Sequence, residues 1–326
     1  MNKVLVTGGL GYIGSYFVEN FQNKYDIKIF DSNFFSRNSE NKGNIIYKDI
    51  RNISLEDLKD IEAIVHMAEL SNDPLGDLNK EVTRKINHEG TMRLLEIANS
   101  SNVKKVIYMS SASVYGFSND IVSELSTTNP LTEYAKAKVN NENFILDNEF
   151  SFQTIILRNS TAFGYSKNLR LDLVVNDLTF DGFFNKKIKL LSDGTPKRPL
   201  VHIHDICKLI DLILIDTRNL DKEIINVGSD NLNFSIKEVA EVIGSILNLD
   251  DIVFGKKDVD QRSYQLTFDK LKYLFPNFQI DFSIKQGVED LIINFEKYNL
   301  SGNEKRLKSL QNLIENKIIN DDLYFI

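Results

Sequence analysis

Tyr134-Ala-Lys-Ala-Lys138 sets a phenol and an ammonium at i and i+4, so on a helix both side chains leave from one face. A free tyrosine, with a pKa near ~10, is a poor base at neutral pH. A fixed lysine cation a few ångström away favours the phenolate and brings it towards the working range. Such a pair takes a proton from an alcohol or returns one to a ketone. Tyrosine and lysine four apart also occur on ordinary exposed helix faces, so the elements around the pair decide its meaning.

Those elements begin at Lys3-Val-Leu-Val-Thr7, an apolar β-branched run that predicts a buried strand. It enters Gly8-Gly-Leu-Gly11-Tyr12-Ile13-Gly14, followed by helical spacing of apolar residues through Phe21. Strand, glycine turn and helix in that order form the dinucleotide fingerprint. Gly8 and Gly11 let the backbone approach a pyrophosphate at a helix N-terminus, and Gly14 lets helix and strand pack closely. A second strand, Ile27–Phe30, ends at Asp31, placed to accept hydrogen bonds from the adenosine ribose. A carboxylate there repels a 2′-phosphate, so NAD is expected over NADP, with Arg37 as the nearby counter-influence.

The chain of 326 residues is long enough for one or two lobes around a substantial core. A net charge of −7 argues against nucleic acid as the main partner. Absence of a signal-peptide pattern after Met1 and of a long apolar run predicts a cytoplasmic protein outside the membrane. The single cysteine, Cys207, excludes an internal disulfide and reads as a small core residue. His202 and His204 lack a third ligand at metal-binding spacing, so no metal is expected.

Strand and helix signals alternate through the first half, which predicts an α/β fold with a doubly wound parallel sheet of Rossmann type. Further strands are expected at Asn44–Lys48, Ile61–Val65, Lys105–Met109 and Thr154–Leu157, with Pro130 opening the helix that bears Tyr134. Beyond about residue 165 the alternation becomes irregular. The expected organisation is an NAD-binding domain over 1–165 and a smaller substrate-binding α/β lobe over 166–326, ending in a helical tail.

With these pieces in order, the sequence resembles the extended short-chain dehydrogenase/reductases that act on sugar nucleotides, the NAD-dependent epimerase/dehydratase group. The resemblance rests on Thr7–Gly14, Ser110-Ser-Ala-Ser-Val-Tyr-Gly116, Tyr134-x-x-x-Lys138 and Asp193–Asp205. It implies a catalytic set of Ser111, Tyr134 and Lys138. Tyr134 would move the proton, Ser111 would bind the reacting sugar hydroxyl, and Lys138 would bind the nicotinamide ribose and depress the tyrosine pKa. Asp49 and Ile50 would lie on the adenine side, Met67 and Ala68 would line the cofactor, and Asn87 would anchor the same region. Arg198 and Arg262 are implied for the substrate pyrophosphate, since guanidinium forks suit phosphate oxygens. Ser71, opening Ser71-Asn-Asp-Pro-Leu-Gly76, is a candidate sugar contact.

Departures from the group's patterns narrow the reaction. Dehydratases carry an Asp-Glu pair directly after the active-site Ser/Thr, whereas Ala112 and Ser113 stand here. Epimerases usually place an asparagine where this chain has Thr161. The expected activity is hydride transfer at C4 of a nucleotide-linked sugar, chiefly 4-epimerisation. A net 4-dehydrogenase or 4-ketoreductase and a non-catalytic NAD-binding scaffold are the alternatives. The expected partners are the nucleotide sugar and a second copy in a homodimer, with neither nucleic acid nor membrane.

Overall fold

Strands read from β-branched apolar runs become the centre of the molecule, buried on both faces as parallel strands under helices must be. The computed structural model describes residues 3–35, 44–71, 76, 78–249, 252–256, 262–298 and 305–326. In chain order the strands are β1 (Lys3–Thr7), β2 (Asp26–Asp31), β3 (Asn44–Tyr47), β4 (Ala63–His66), β5 (Lys105–Ser111), β6 (Phe117–Val122) and β7 (Gln153–Asn159). The second half adds β8 (Thr161–Phe163), β9 (Ile188–Lys189), β10 (Lys197–His202), β11 (Glu223–Val227), β12 (Asn233–Ser235), β13 (Ile252–Val253) and β14 (Ser263–Leu266). Among the described residues, seven of these form one parallel sheet in the order β11-β7-β5-β4-β1-β2-β3. Its order reverses beside β1, so the crevice outside the carboxyl ends of β1 and β4 is where an open α/β sheet binds its ligand.

Helix α1 (Tyr12–Phe21) follows the glycine turn directly. A π-helical turn, Lys85–Glu89, joins α2 (Lys80–Arg84) to α3 (Gly90–Asn99). Helix α4 (Glu133–Asp147) carries the Tyr-Lys pair. It starts later than Pro130 suggests, because Thr132 is the N-cap and its hydroxyl accepts the Ala135 N–H at 3.2 Å. The second half supplies α5 (Val174–Asn185), α6 (Ile203–Ile215), α7 (Ile236–Leu247), α8 (Asp269–Leu274), α9 (Ile284–Tyr298) and α10 (Arg306–Glu315). The capping box of Ser235 and Glu238 opens α7.

A second core forms where α5, α7 and α9 cover the sheet β12-β10-β8, with Phe163, Leu178, Ile243, Val288 and Phe295 buried together. The chain crosses between the lobes more often than a single division at residue 165 would have it. Helix α6 packs Ile206, Cys207, Ile210 and Ile213 into the core of the first lobe, and β11 then pairs with β7 at the sheet edge. The tail also returns. Leu310, Ile319 and Leu323 pack with Phe30, Ile50 and Ile53, so the tail joins the first lobe's core. Leucine spacing predicts its apolar face; only the fold supplies the surface that face covers. No helix among the described residues is long and apolar enough to cross a membrane.

Candidate active site

The carboxyl ends of β1, β4, β5 and β7 open into a cavity of about 620 Å³, which extends into the second lobe. Its floor is the glycine turn. Gly8 has φ +72, and a Cβ there would stand 2.8 Å from the Met67 carbonyl oxygen; at Gly14 a Cβ would stand 2.3 Å from the Gly8 oxygen. Both positions therefore need glycine for backbone approach. Gly8, Gly11, Tyr12, Ile13 and Gly14 all line the cavity. The Tyr12 side chain turns away, donating its hydroxyl to the Gly164 carbonyl at 2.6 Å and so joining the lobes. What Tyr12 offers the cavity is the first turn of α1.

Asp31 accepts the Leu10 N–H at 3.0 Å and the Asn33 N–H at 2.7 Å, tying the end of β2 to the glycine turn. Burial raises its carboxyl pKa, while those two N–H donors and Arg306 oppose the shift. Arg37 lies outside the described residues. Asp49 and Ile50 line the same end, but the Asp49 carboxylate is held by Arg51 in two bonds of 2.8 and 2.7 Å. Met67 and Ala68 line the cavity, their N–H groups donating to Thr7 Oγ1 at 3.2 and 3.3 Å. His66 is structural, buried between the Thr7 and Thr91 hydroxyls, with its pKa pushed down to about 3 by burial.

Asn87 does not reach the cavity wall. Its amide accepts from the Leu70 N–H at 2.8 Å and donates to the Leu70 carbonyl at 3.1 Å, so it is a positioning residue for the segment after β4. Ser71, next along, does line the cavity and receives Arg170 at 3.1 Å. Residues 72–75 of that loop lie outside the described residues, but Gly76 sits so close that a Cβ would meet Tyr134 Cβ at 3.3 Å.

Ser111, Tyr134 and Lys138 meet in the cavity. Ser111 caps the 3-10 turn Ala112–Tyr115 by accepting the Ser113 N–H at 3.2 Å, and its hydroxyl favours the ionised form of Tyr134. Lys138 Nζ lies 5.4 Å from the Tyr134 ring centre. The expected depression of the tyrosine pKa is not what this geometry produces. Burial raises it; Lys138, Arg170 and Ser111 pull it down, and Glu69 pushes it further up. Burial is the larger effect and Lys138 does not overcome it; nor is Lys138 an open cation. Its Nζ lies 2.6 Å from Glu69 Oε2, with the two side chains only 5% and 3% exposed, and it also donates to the Met109 carbonyl.

Glu69 is the principal residue the sequence reading missed. Tyr108 donates its hydroxyl to Glu69 at 2.9 Å, Asn141 donates to the Tyr108 oxygen at 2.8 Å, and His88 Nδ1 donates to Asn141 at 2.6 Å. Nothing in a lone glutamate after Met67-Ala68 announces a lysine on another element. Arg170, beside Tyr134 and paired with Asp172 at 2.9 Å, was missed for the same reason.

Arg198 and Arg262 come together at the far wall, where an Arg198 amino group donates to the Arg262 carbonyl. His204, Asp205 and Asp281 place ligand-type atoms within 4.8 Å of one another, a proximity sequence spacing could not reveal. Asp281 there pairs with Lys208 at 2.6 Å, and Asp205 accepts the Asp281 N–H at 2.8 Å.

The cavity fits a dinucleotide. Its floor excludes side chains where a pyrophosphate would lie, and its wall carries Ser113 Oγ, Asn159 Oδ1 and Ser160 Oγ, buried atoms without a hydrogen-bond partner among the described residues. Residues 4–228 match the model of the NAD dependent epimerase/dehydratase family, and the chain belongs to that family. It is an NAD-dependent enzyme. It is 27% identical over 308 residues to a putative UDP-glucose 4-epimerase of Methanocaldococcus jannaschii, covering 91% of this chain and 99% of that one. To a UDP-glucuronate 4-epimerase of Thermodesulfobacterium geofontis it is 26% identical, covering 92% and 98%. The fold is similar to that of a UDP-glucuronic acid 4-epimerase from Bacillus cereus, with a TM-score of 0.77 at 22% identity over 90% of this chain and 99% of that one.

Proposed function

We propose that the protein interconverts the C4 epimers of a nucleotide-linked sugar. The observation that carries this reading is the convergence of Ser111, Tyr134 and Lys138 in one cavity that is also lined by the glycine turn and by Arg198 and Arg262. Tyr134 takes the C4 hydroxyl proton and later returns it to the ketone. Ser111 donates to the oxygen as its charge changes. NAD, when bound, supplies the hydride acceptor and donor. Arg198 and Arg262 hold the nucleoside diphosphate, and Ser71 flanks the sugar. Return of the hydride to the opposite face of the ketone completes epimerisation. Elimination of water is disfavoured, because Ala112 and Ser113 provide no carboxyl acid–base pair beside Ser111.

The relatives named as UDP-sugar 4-epimerases make UDP-hexoses and UDP-hexuronates the first substrates to test. Purified protein is incubated with each, deuterated at C4, without added coenzyme, and the product is read by NMR. Epimerised product that keeps its deuterium supports the reading. Release of a 4-keto sugar with stoichiometric NADH establishes a net 4-dehydrogenase instead.

A further inference from the structure

Arg306, the first residue of α10, enters the cavity from the C-terminal tail. It is 9% exposed, and one amino nitrogen, Nη1, donates to Ser71 Oγ at 3.3 Å. The other, Nη2, is buried with no hydrogen-bond partner among the described residues. The guanidinium carbon lies 4.7 Å from the centre of the Phe35 ring. Asp172, one of two carboxylates that act on Arg306, is already engaged by Arg170 through two bonds of 3.0 and 2.9 Å. Asp31 spends its oxygens on the Leu10 and Asn33 N–H groups. Burial and the neighbouring Arg170 lower the Arg306 pKa to about 9, and Asp172 and Asp31 offset them only in part.

The tail that delivers Arg306 is fastened around the adenosine end of the cavity. Lys305 pairs with Asp177 at 2.8 Å; Tyr324 lies on the Arg51 guanidinium at 3.7 Å; Phe325 stacks on Phe34 at 5.5 Å. Arg51 is the residue that holds Asp49, and Phe34 lines the cavity itself. An anion bound at the first turn of α1, between Asp31 and Ser71, would meet α1 on one side and Arg306 on the other.

We propose that Arg306 binds the diphosphate of the dinucleotide, so that the C-terminal tail straps the cofactor into its site. A guanidinium fork offers two parallel donors to phosphate oxygens, which uses the orphaned nitrogen. The substrate diphosphate is the other source of such an anion; Arg198 and Arg262 are proposed above for that group, and the UDP measurement below separates the two sources.

Arg306→Gln and Arg306→Lys test the strap through binding, independently of any sugar turnover. Each protein is loaded with NAD, and release is followed by mass spectrometry during a chase with isotopically labelled NAD. UDP and NADP affinities are measured alongside by calorimetry. Arg306→Gln should release NAD about 10-fold faster or more, the scale of one lost charged hydrogen bond, with Arg306→Lys between it and wild type. UDP affinity should not change in either variant. If Arg306→Gln fails to fold, the Arg306→Lys release rate decides alone. Unchanged NAD release, a matching loss of UDP affinity, or a loss confined to NADP would each overturn the proposal.

Discussion

Glu69 Oε2 stands 2.6 Å from Lys138 Nζ with both side chains buried, so the lysine shares its charge between a carboxylate and a tyrosine. The pair that looks like a simple phenol and cation in sequence is a three-group system. Glu69 acts on Tyr134 through Lys138, as a positioning and electrostatic residue.

Replacing Glu69 by Gln should therefore move the pH profile. The free enzyme needs Tyr134 as phenolate, so kcat/KM climbs with pH through the tyrosine pKa. Glu69 raises that pKa and Lys138 lowers it. Without the carboxylate the cation acts alone, and the rising limb should shift to lower pH. A limb at the wild-type position would show that Glu69 does not act on Tyr134. Glu69→Ala should also destabilise the fold by about 3–5 kcal/mol by stranding a buried cation, readable in urea unfolding.

Tyr134→Phe should remove the proton carrier while leaving α4 and the cavity in place. We expect kcat to fall by roughly 10²-fold or more, the scale of a positioned acid–base group, with NAD affinity nearly unchanged. Activity within a few-fold of wild type would assign the proton transfer to another residue.

Asp31 should select NAD. A 2′-phosphate brought to this carboxylate meets repulsion, and Asp31→Asn should narrow the preference for NAD over NADP measured by calorimetry. The asparagine keeps oxygen and size, but one side-chain acceptor becomes a donor facing Leu10 or Asn33, so a modest loss of melting temperature should accompany it. Wild-type preference for NADP would refute the selection rule.

Glu142 should matter for stability beneath Ser110 and Ser111. It pairs with Arg158 at 2.6 Å and receives the Ser110 hydroxyl, with both charged side chains buried. Glu142→Ala should cost about 3–5 kcal/mol in denaturant unfolding by leaving Arg158 uncompensated. A loss below about 1 kcal/mol would mean water replaces the pair.

What the sequence made legible is what local chemistry determines. The β-branched run before Gly8 and the glycine turn each encode their own conformation, and each lies where expected. The short strands β8, β12 and β14 were not foreseen, because three or four residues of mixed polarity carry no period-two signal. Ser111, Tyr134 and Lys138 were legible because α4 sets the last two in register and β5 ends at the first. Glu69, Arg170 and Arg306 were not. Their significance lies in charge pairs closed by tertiary structure, and the spacing of charges along the chain holds no trace of those partners.

The late arrival of β11 has a consequence for how the protein is made. Glu223–Val227 completes the sheet by pairing with Ile155–Asn159, after much of the second lobe has intervened. During synthesis, β7 therefore waits at an open sheet edge until its neighbour leaves the ribosome. Pairing across such a sequence separation slows folding, and an uncovered hydrophobic edge is a template for intermolecular strand addition. A nascent chain halted between β7 and β11 is thus an aggregation hazard rather than a smaller dinucleotide-binding protein. Chaperone occupancy should be greatest over that interval of translation.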